Sequence, residues 1–196
     1  MKPTISLLSA LAALALAGGP GWAQDEPAQE DQTTGQAAEA PDQATLIATA
    51  ESSAPDHISK EATIYDLEMN VIREGTNGWW CVPDNPGTPG PDQMCGDANA
   101  MEWMMAIIEQ RDPPEGKVGI GYSLAGAAVT SNATPYADAP ANEEDWIWAP
   151  PHIAIFNDPA AMEGYPHEPD PDVNRPFVMW YDTPYAHLML PTEALE

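Results

Sequence analysis

The chain carries two cysteines, Cys81 and Cys95, and between them lie Pro83, Pro86, Pro89 and Pro91. In an oxidising compartment such a pair closes a disulfide. A loop of about 15 residues gains about 3 kcal/mol from chain-entropy loss in the unfolded state, and its prolines stiffen it further. A redox-active pair favours CxxC spacing, and a zinc site needs more soft ligands than two thiolates. The pair therefore reads as a structural staple. It would tie a strand at Trp79–Val82 to the start of a helix and make the Pro/Gly-rich loop a rigid projecting element.

The N-terminus supplies the compartment. Lys2 precedes an apolar run from Ile5 to Ala17, and Gly21-Trp22-Ala23 offers small residues at the cleavage positions. Residues 1–23 read as a secretory signal peptide. The run falls short of the ~20 apolar residues that a membrane-spanning helix needs, so no transmembrane span is expected in the mature chain. The expected localisation is periplasmic or extracellular in a bacterium.

From Gln24 to Asp56 the chain is acidic, poor in large apolar side chains and devoid of Lys and Arg. Such a composition buries too little apolar surface to offset ordering entropy, and residues 24–56 are expected to be a disordered acidic tether. Aromatic, Met and Ile residues concentrate after His57, which gives residues 57–196 as a single compact domain. Net charge is −25, with 31 acidic and 6 basic side chains. That balance argues against nucleic acid and anionic membranes as partners, and favours neutral or cationic ligands over anionic ones.

Within the domain, Tyr65, Leu67, Met69 and Val71 alternate with Asp66, Glu68, Asn70 and Ile72, the period of a half-buried strand. Gly75-Thr76-Asn77-Gly78 follows as a turn, with Trp79–Val82 as the returning strand of a hairpin. Met101, Met104, Met105 and Ile108 have helical spacing, which predicts a helix over Ala100–Gln110 with Asn99 and Glu102 as a capping box. Further strands are expected at Val118–Leu124, His152–Phe156, Phe177–Trp180 and Ala186–Leu190. The expected fold is α+β, mainly antiparallel sheet with one amphipathic helix and the stapled loop.

The stretch Asn77-Gly78-Trp79-Trp80-Cys81-Val82-Pro83-Asp84-Asn85-Pro86-Gly87-Thr88-Pro89-Gly90-Pro91-Asp92 has a distinctive Pro, Gly and Trp placement. So do Pro176-Phe177-Val178-Met179-Trp180 and Thr183-Pro184-Tyr185-Ala186-His187-Leu188-Met189. These motifs, with the helix near Met101-Glu102-Trp103, resemble those of a family of uncharacterised secreted bacterial proteins. The resemblance spans most of residues 62–190. It implies one exported domain and assigns no catalytic residue, cofactor or ligand.

Candidate chemistry is sparse. Histidine is the natural base and transition-metal ligand near neutral pH. His152 and His187 lie on separate expected strands and could meet if these are neighbours, with Asp182, Asp158 or Glu168 as a third metal ligand or orienting carboxylate. No HxH or HExxH spacing forces that meeting, and the competing role is a structural histidine bonded to a carbonyl. His57 and His167 read as loop residues. Asp170, Asp172 and Asn174 begin a calcium-loop pattern, but Arg175 stands where glycine is needed and Tyr181 where glutamate is needed. Ser123 lacks the second glycine of GxSxG, and the small residues around it suit close packing. Glu143-Glu144-Asp145 reads as a solvated turn. Trp146 and Trp148 would share a face in a strand. The adjacent Trp79 and Trp80 must face opposite sides of a strand, leaving one as a possible ligand platform.

Two functional expectations follow. The first is a non-enzymatic exported domain, binding or envelope-associated, that requires no cofactor and recognises its ligand beside Trp79 and Trp80. The second is a metal-binding protein or metal-dependent enzyme holding a divalent cation at His152, His187 and Asp182.

Overall fold

Asp66 decides how the sheet begins. Its carboxylate accepts hydrogen bonds from the backbone N–H of Glu68 at 3.0 Å and of Asn70 at 2.8 Å, and Met69 takes a left-handed φ of 65°. The run expected as one strand is therefore a tight hairpin, β1 (Thr63–Tyr65) and β2 (Val71–Arg73), because side-chain-to-backbone bonding at Asp66 outcompetes extension. The glycine-containing segment after β2 leads to β3 (Trp80–Val82), which pairs with β1 in parallel.

The computed structural model describes residues 41–195. The expected signal peptide and residues 24–40 of the expected tether lie outside the described residues. The remaining strands are β4 (Met94–Gly96), β5 (Gly119–Ser123), β6 (Ala127–Val129), β7 (Ile147–Ala149), β8 (His152–Phe156), β9 (Phe177–Met179) and β10 (His187–Pro191). The helices are α1 (Gln43–Glu51), α2 (Asp56–Ser59), α3 (Ala98–Ile108) and α4 (Pro159–Met162). Eight strands form one sheet in the order β2-β1-β3-β4-β5-β8-β10-β9, antiparallel except for β1–β3, and β6 pairs with β7 in a separate ribbon. The class is α+β with a mainly antiparallel sheet.

Cys81 and Cys95 stand opposite each other in β3 and β4 and are joined by a disulfide. Both face away from Trp80 and Gly96, so the staple belongs to the opposite sheet face from the main core. That face is roofed by residues that composition placed in the tether. Asp42 caps α1 by accepting from Thr45 N at 2.8 Å, and Ala50, Ala54 and Ile58 bury against Ile64 and the disulfide. Glu51 forms ion pairs with Lys60 and Arg73, and Arg73 also donates to the carbonyls of Ser59 and Ala62. Order thus begins well before His57. Ala50, the one fully buried residue of α1, is small enough to let the C-terminal end of the helix lie close on the sheet.

Helix α3 covers the other face. Its cap is Asp97, whose carboxylate accepts from Ala100 N at 2.8 Å, while Asn99 donates instead to Val118 O. Ala100, Trp103 and Ala106 are buried, with Met101, Met104 and Ile107 at the edges, and Ile108 is 53% exposed. The buried stripe is rotated from the expected one because the sheet beneath is built of small residues. A Cβ at Gly119 would lie 2.6 Å from Ala100 N, so only glycine admits so close an approach. On β5 it is accordingly Gly119, Gly121 and Ser123 that face the core, while Ile120 and Tyr122 face the other side.

Candidate functional site

The register of three neighbouring strands sets the site. Ser123 pairs with His152, Gly121 with Ala154, Ala154 with Met189 and Phe156 with His187, and His187 in turn pairs with Met179 of β9. Residues paired across a ladder share a sheet face, so all these side chains point toward α3. Gly121 and Ala154 are too small to fill the middle of that face. A cavity of about 130 Å³ is left above them. Trp103, Met94 and the β6 residues Ala127 and Val129 also line it, together with Asp92 and Trp180.

His152 and His187 bound this cavity from its two ends. They lie four positions apart along the β8–β10 ladder, about 13 Å at strand rise. Each donates its Nδ1–H to the carbonyl two residues earlier, His152 to Pro150 at 2.7 Å and His187 to Tyr185 at 3.1 Å. A carbonyl only accepts, which puts the proton of each neutral ring on Nδ1 and leaves Nε2 a bare acceptor. Among the described residues neither Nε2 has a hydrogen-bond partner. The residues are 5% and 4% exposed. Burial pushes His187 down to about 4 against the opposing bond to Tyr185, with His152 adding to the fall. Burial also lowers His152, opposed by the bond to Pro150. Both are neutral imidazoles at pH 7.

Aromatic rings enclose His187. Trp103 stacks on Phe156 at 4.2 Å and meets His187 edge-on at 5.1 Å, and Trp180 meets His187 at 4.9 Å. Trp180 holds a left-handed φ of 56°, a conformation that costs a bulky residue about 1–2 kcal/mol. Its carbonyl accepts from Thr183 N and Oγ1, and its Nε1–H donates to Ser131 O at 2.9 Å. These bonds fix the ring beside His187. Trp103 is 3% exposed, and its Nε1–H is buried without a partner.

The stapled loop supplies Asp92. Burial raises its carboxyl to about 6, a bond from Asn85 N opposes the rise, and nearby Asp84 adds to it. Rather than projecting, the loop lies against the β6–β7 ribbon: Pro91 O accepts from Ala128 N at 2.9 Å, and the Trp148 ring rests on Gly90.

The structure separates the other sequence candidates from this cavity. Asp182 is exposed and borders a surface groove with Asn132, His167, Glu168 and Tyr181, so it does not join the two histidines. No group of three His, Cys, Asp or Glu side chains placed to hold a metal ion occurs among the described residues. Trp80 is 3% exposed in the main core, its Nε1–H donating to Asp97 O, and it presents no ligand surface. Trp79 is half-buried on the disulfide face, 5.6 Å from Tyr122. His167 is exposed and stacks on Tyr181, and Asp158 caps α4. Asp172 bonds Asn174 N and pairs with Arg175, an ordinary solvated turn. Glu143–Asp145 forms an exposed helical turn. Trp103, Trp180 and Asp92 were not singled out by the sequence as site residues; the one available signal was the run of small residues on β5, which marks where the sheet face leaves room.

No family model, curated protein or solved structure matches the chain.

Proposed function

We propose that this is an exported, non-enzymatic binding domain that takes a small molecule into the cavity between His152 and His187. The observation that carries this reading is the pair of neutral imidazoles with bare Nε2 atoms set in an otherwise largely apolar, aromatic cavity. Ligand sites have that character: apolar walls for affinity and a few converging polar groups for orientation. The Cys81–Cys95 disulfide supports an oxidising compartment, and the sequence resemblance to secreted bacterial proteins supports export. Among the described residues no helix is long and apolar enough to cross a membrane. Recognition moves from the Trp79–Trp80 edge of the stapled loop to the sheet face beneath α3, where the same loop contributes Asp92. The metal-centred alternative loses its third ligand with the displacement of Asp182.

The test is recovery of the ligand. Protein purified from the exported fraction, extracted and examined by mass spectrometry, is expected to release one small compound in stoichiometric amount. Ala154→Leu, which fills the cavity, is expected to release none while keeping its near-UV circular dichroism. Equal recovery from both proteins, or none from the wild type, would count against the reading.

A further inference from the structure

We infer that the cavity selects a flat, non-anionic molecule no larger than about benzene that donates one hydrogen bond from its edge to Nε2 of His187. This rests on the binding reading above and adds to it the chemistry of the ligand.

Size comes first. A dry apolar cavity of about 150 Å³ accommodates benzene, and the cavity here is about 130 Å³. Flatness follows from the walls. Trp103 stacks on Phe156 and lies 7° from parallel to Trp180, and all three rings gather around His187. Rings so placed favour a planar apolar body over a globular one.

Polarity is fixed by the histidine's other nitrogen. Nδ1–H of His187 is committed to Tyr185 O, so Nε2 can only accept. A ligand bearing only acceptors could take the unpartnered Nε1–H of Trp103 but would leave that nitrogen unsatisfied, whereas a hydroxyl can serve both. His152 also presents a bare Nε2, but it sits beside Ser123 at the other end of the cavity, away from the aromatic cluster. Anions are excluded. No Lys or Arg lines the cavity to receive one, and the carboxyl of Asp92 repels it.

Isothermal titration of the disulfide-bonded protein at pH 7.5 with phenol, benzene and benzoate tests the inference. Phenol is expected to bind about three- to tenfold more tightly than benzene, the range for one neutral hydrogen bond. Benzoate is expected not to bind. His187→Leu removes the acceptor and keeps an apolar side chain, so the phenol-to-benzene ratio should fall to about one. In the wild type, the nitrogen-15 resonance of His187 Nε2 should move on adding phenol and stay on adding benzene, a readout independent of any variant's folding.

Equal affinity for phenol and benzene, an unchanged ratio in His187→Leu, an unmoved Nε2 resonance with phenol bound, or binding of benzoate would each overturn the inference while leaving a binding cavity intact. Failure of every probe, with the cavity holding water only, would overturn the binding reading itself and this inference with it.

Discussion

Ser53 Oγ lies 3.0 Å from Cys95 Sγ. That contact joins the segment ahead of the first strand to the staple at the centre of the sheet, and the same hydroxyl is bonded to Ala50 O at 2.7 Å. The disulfide is consequently an interior bond under the α1–α2 roof. Neither cysteine is solvent-exposed.

A chain that starts at His57 is therefore expected to be less stable and to lose its disulfide to dithiothreitol faster than the longer chain. Ala50→Asp should have the same effect through a buried, unpaired carboxylate, destabilising by about 3 kcal/mol or more. Urea unfolding and thiol release kinetics measure both. Unchanged midpoints would mean that the roof adds nothing to the fold.

Replacing both Cys81 and Cys95 with alanine should cost about 3 kcal/mol, the value for a closed loop of about 15 residues. The same change should loosen Asp92, because its loop is anchored at Cys95. Urea midpoints at constant slope test the first effect, and amide exchange at Asn85 and Ala128 tests the second.

Gly119→Val places branched carbon where a single Cβ already comes within 2.6 Å of Ala100 N and 2.8 Å of its Cα. Backbone cannot rotate aside as a side chain can, so α3 must lift from the sheet. A loss of about 1–3 kcal/mol is expected, accompanied by a change in Trp103 fluorescence. Ile120→Val on the same strand faces outward and should change little.

Acid exposes two opposed titrations around the cavity. His187 falls to about 4 in the folded protein, below its ordinary value of 6.5, so the unfolded chain binds the proton more readily. Its contribution is present above 6.5 and is lost as pH falls through about 4, a change of about 3 kcal/mol over that window. His152 is lowered too and acts in the same direction. Asp92 is raised from 3.8 to about 6, so its contribution is full below 3.8 and is lost as pH rises through about 6. Acidification from pH 6.5 to 4 should thus destabilise Asp92→Asn more steeply than wild type and His187→Leu less steeply. Urea midpoints across that range decide it; identical slopes in all three proteins would show that neither group titrates as placed.

Several elements were legible from local pattern. His152–Phe156 reads as a strand with its observed bounds, because a short apolar run flanked by prolines is visible in a short window. The disulfide followed from there being only two cysteines, and the helix after Cys95 from its spacing. Misreadings arose where a local side-chain bond competed with extension or where the answer lay in a distant partner. Tyr65–Ile72 alternates like a strand, yet the Asp66 side chain closes a turn within it. Gln43–Glu51 looks too polar and too small to fold, yet Ala50 is fully buried against Ile64, Cys81 and Cys95.

The candidate site divides along the same line. Local pattern is enough to put His152 and His187 in apolar strands and to pair Cys81 with Cys95. That β8 and β10 are neighbours, that both histidines line one cavity and that Asp182 does not are products of packing between distant segments. Side-chain direction along a strand is a local property with a period of two, whereas strand neighbours and register depend on which surfaces fit together. Gly121 and Ala154 leave the space, Trp103 arrives from α3 to roof it, and Trp180 is turned into it by a strained backbone; none of those meetings is encoded in the spacing of any one segment.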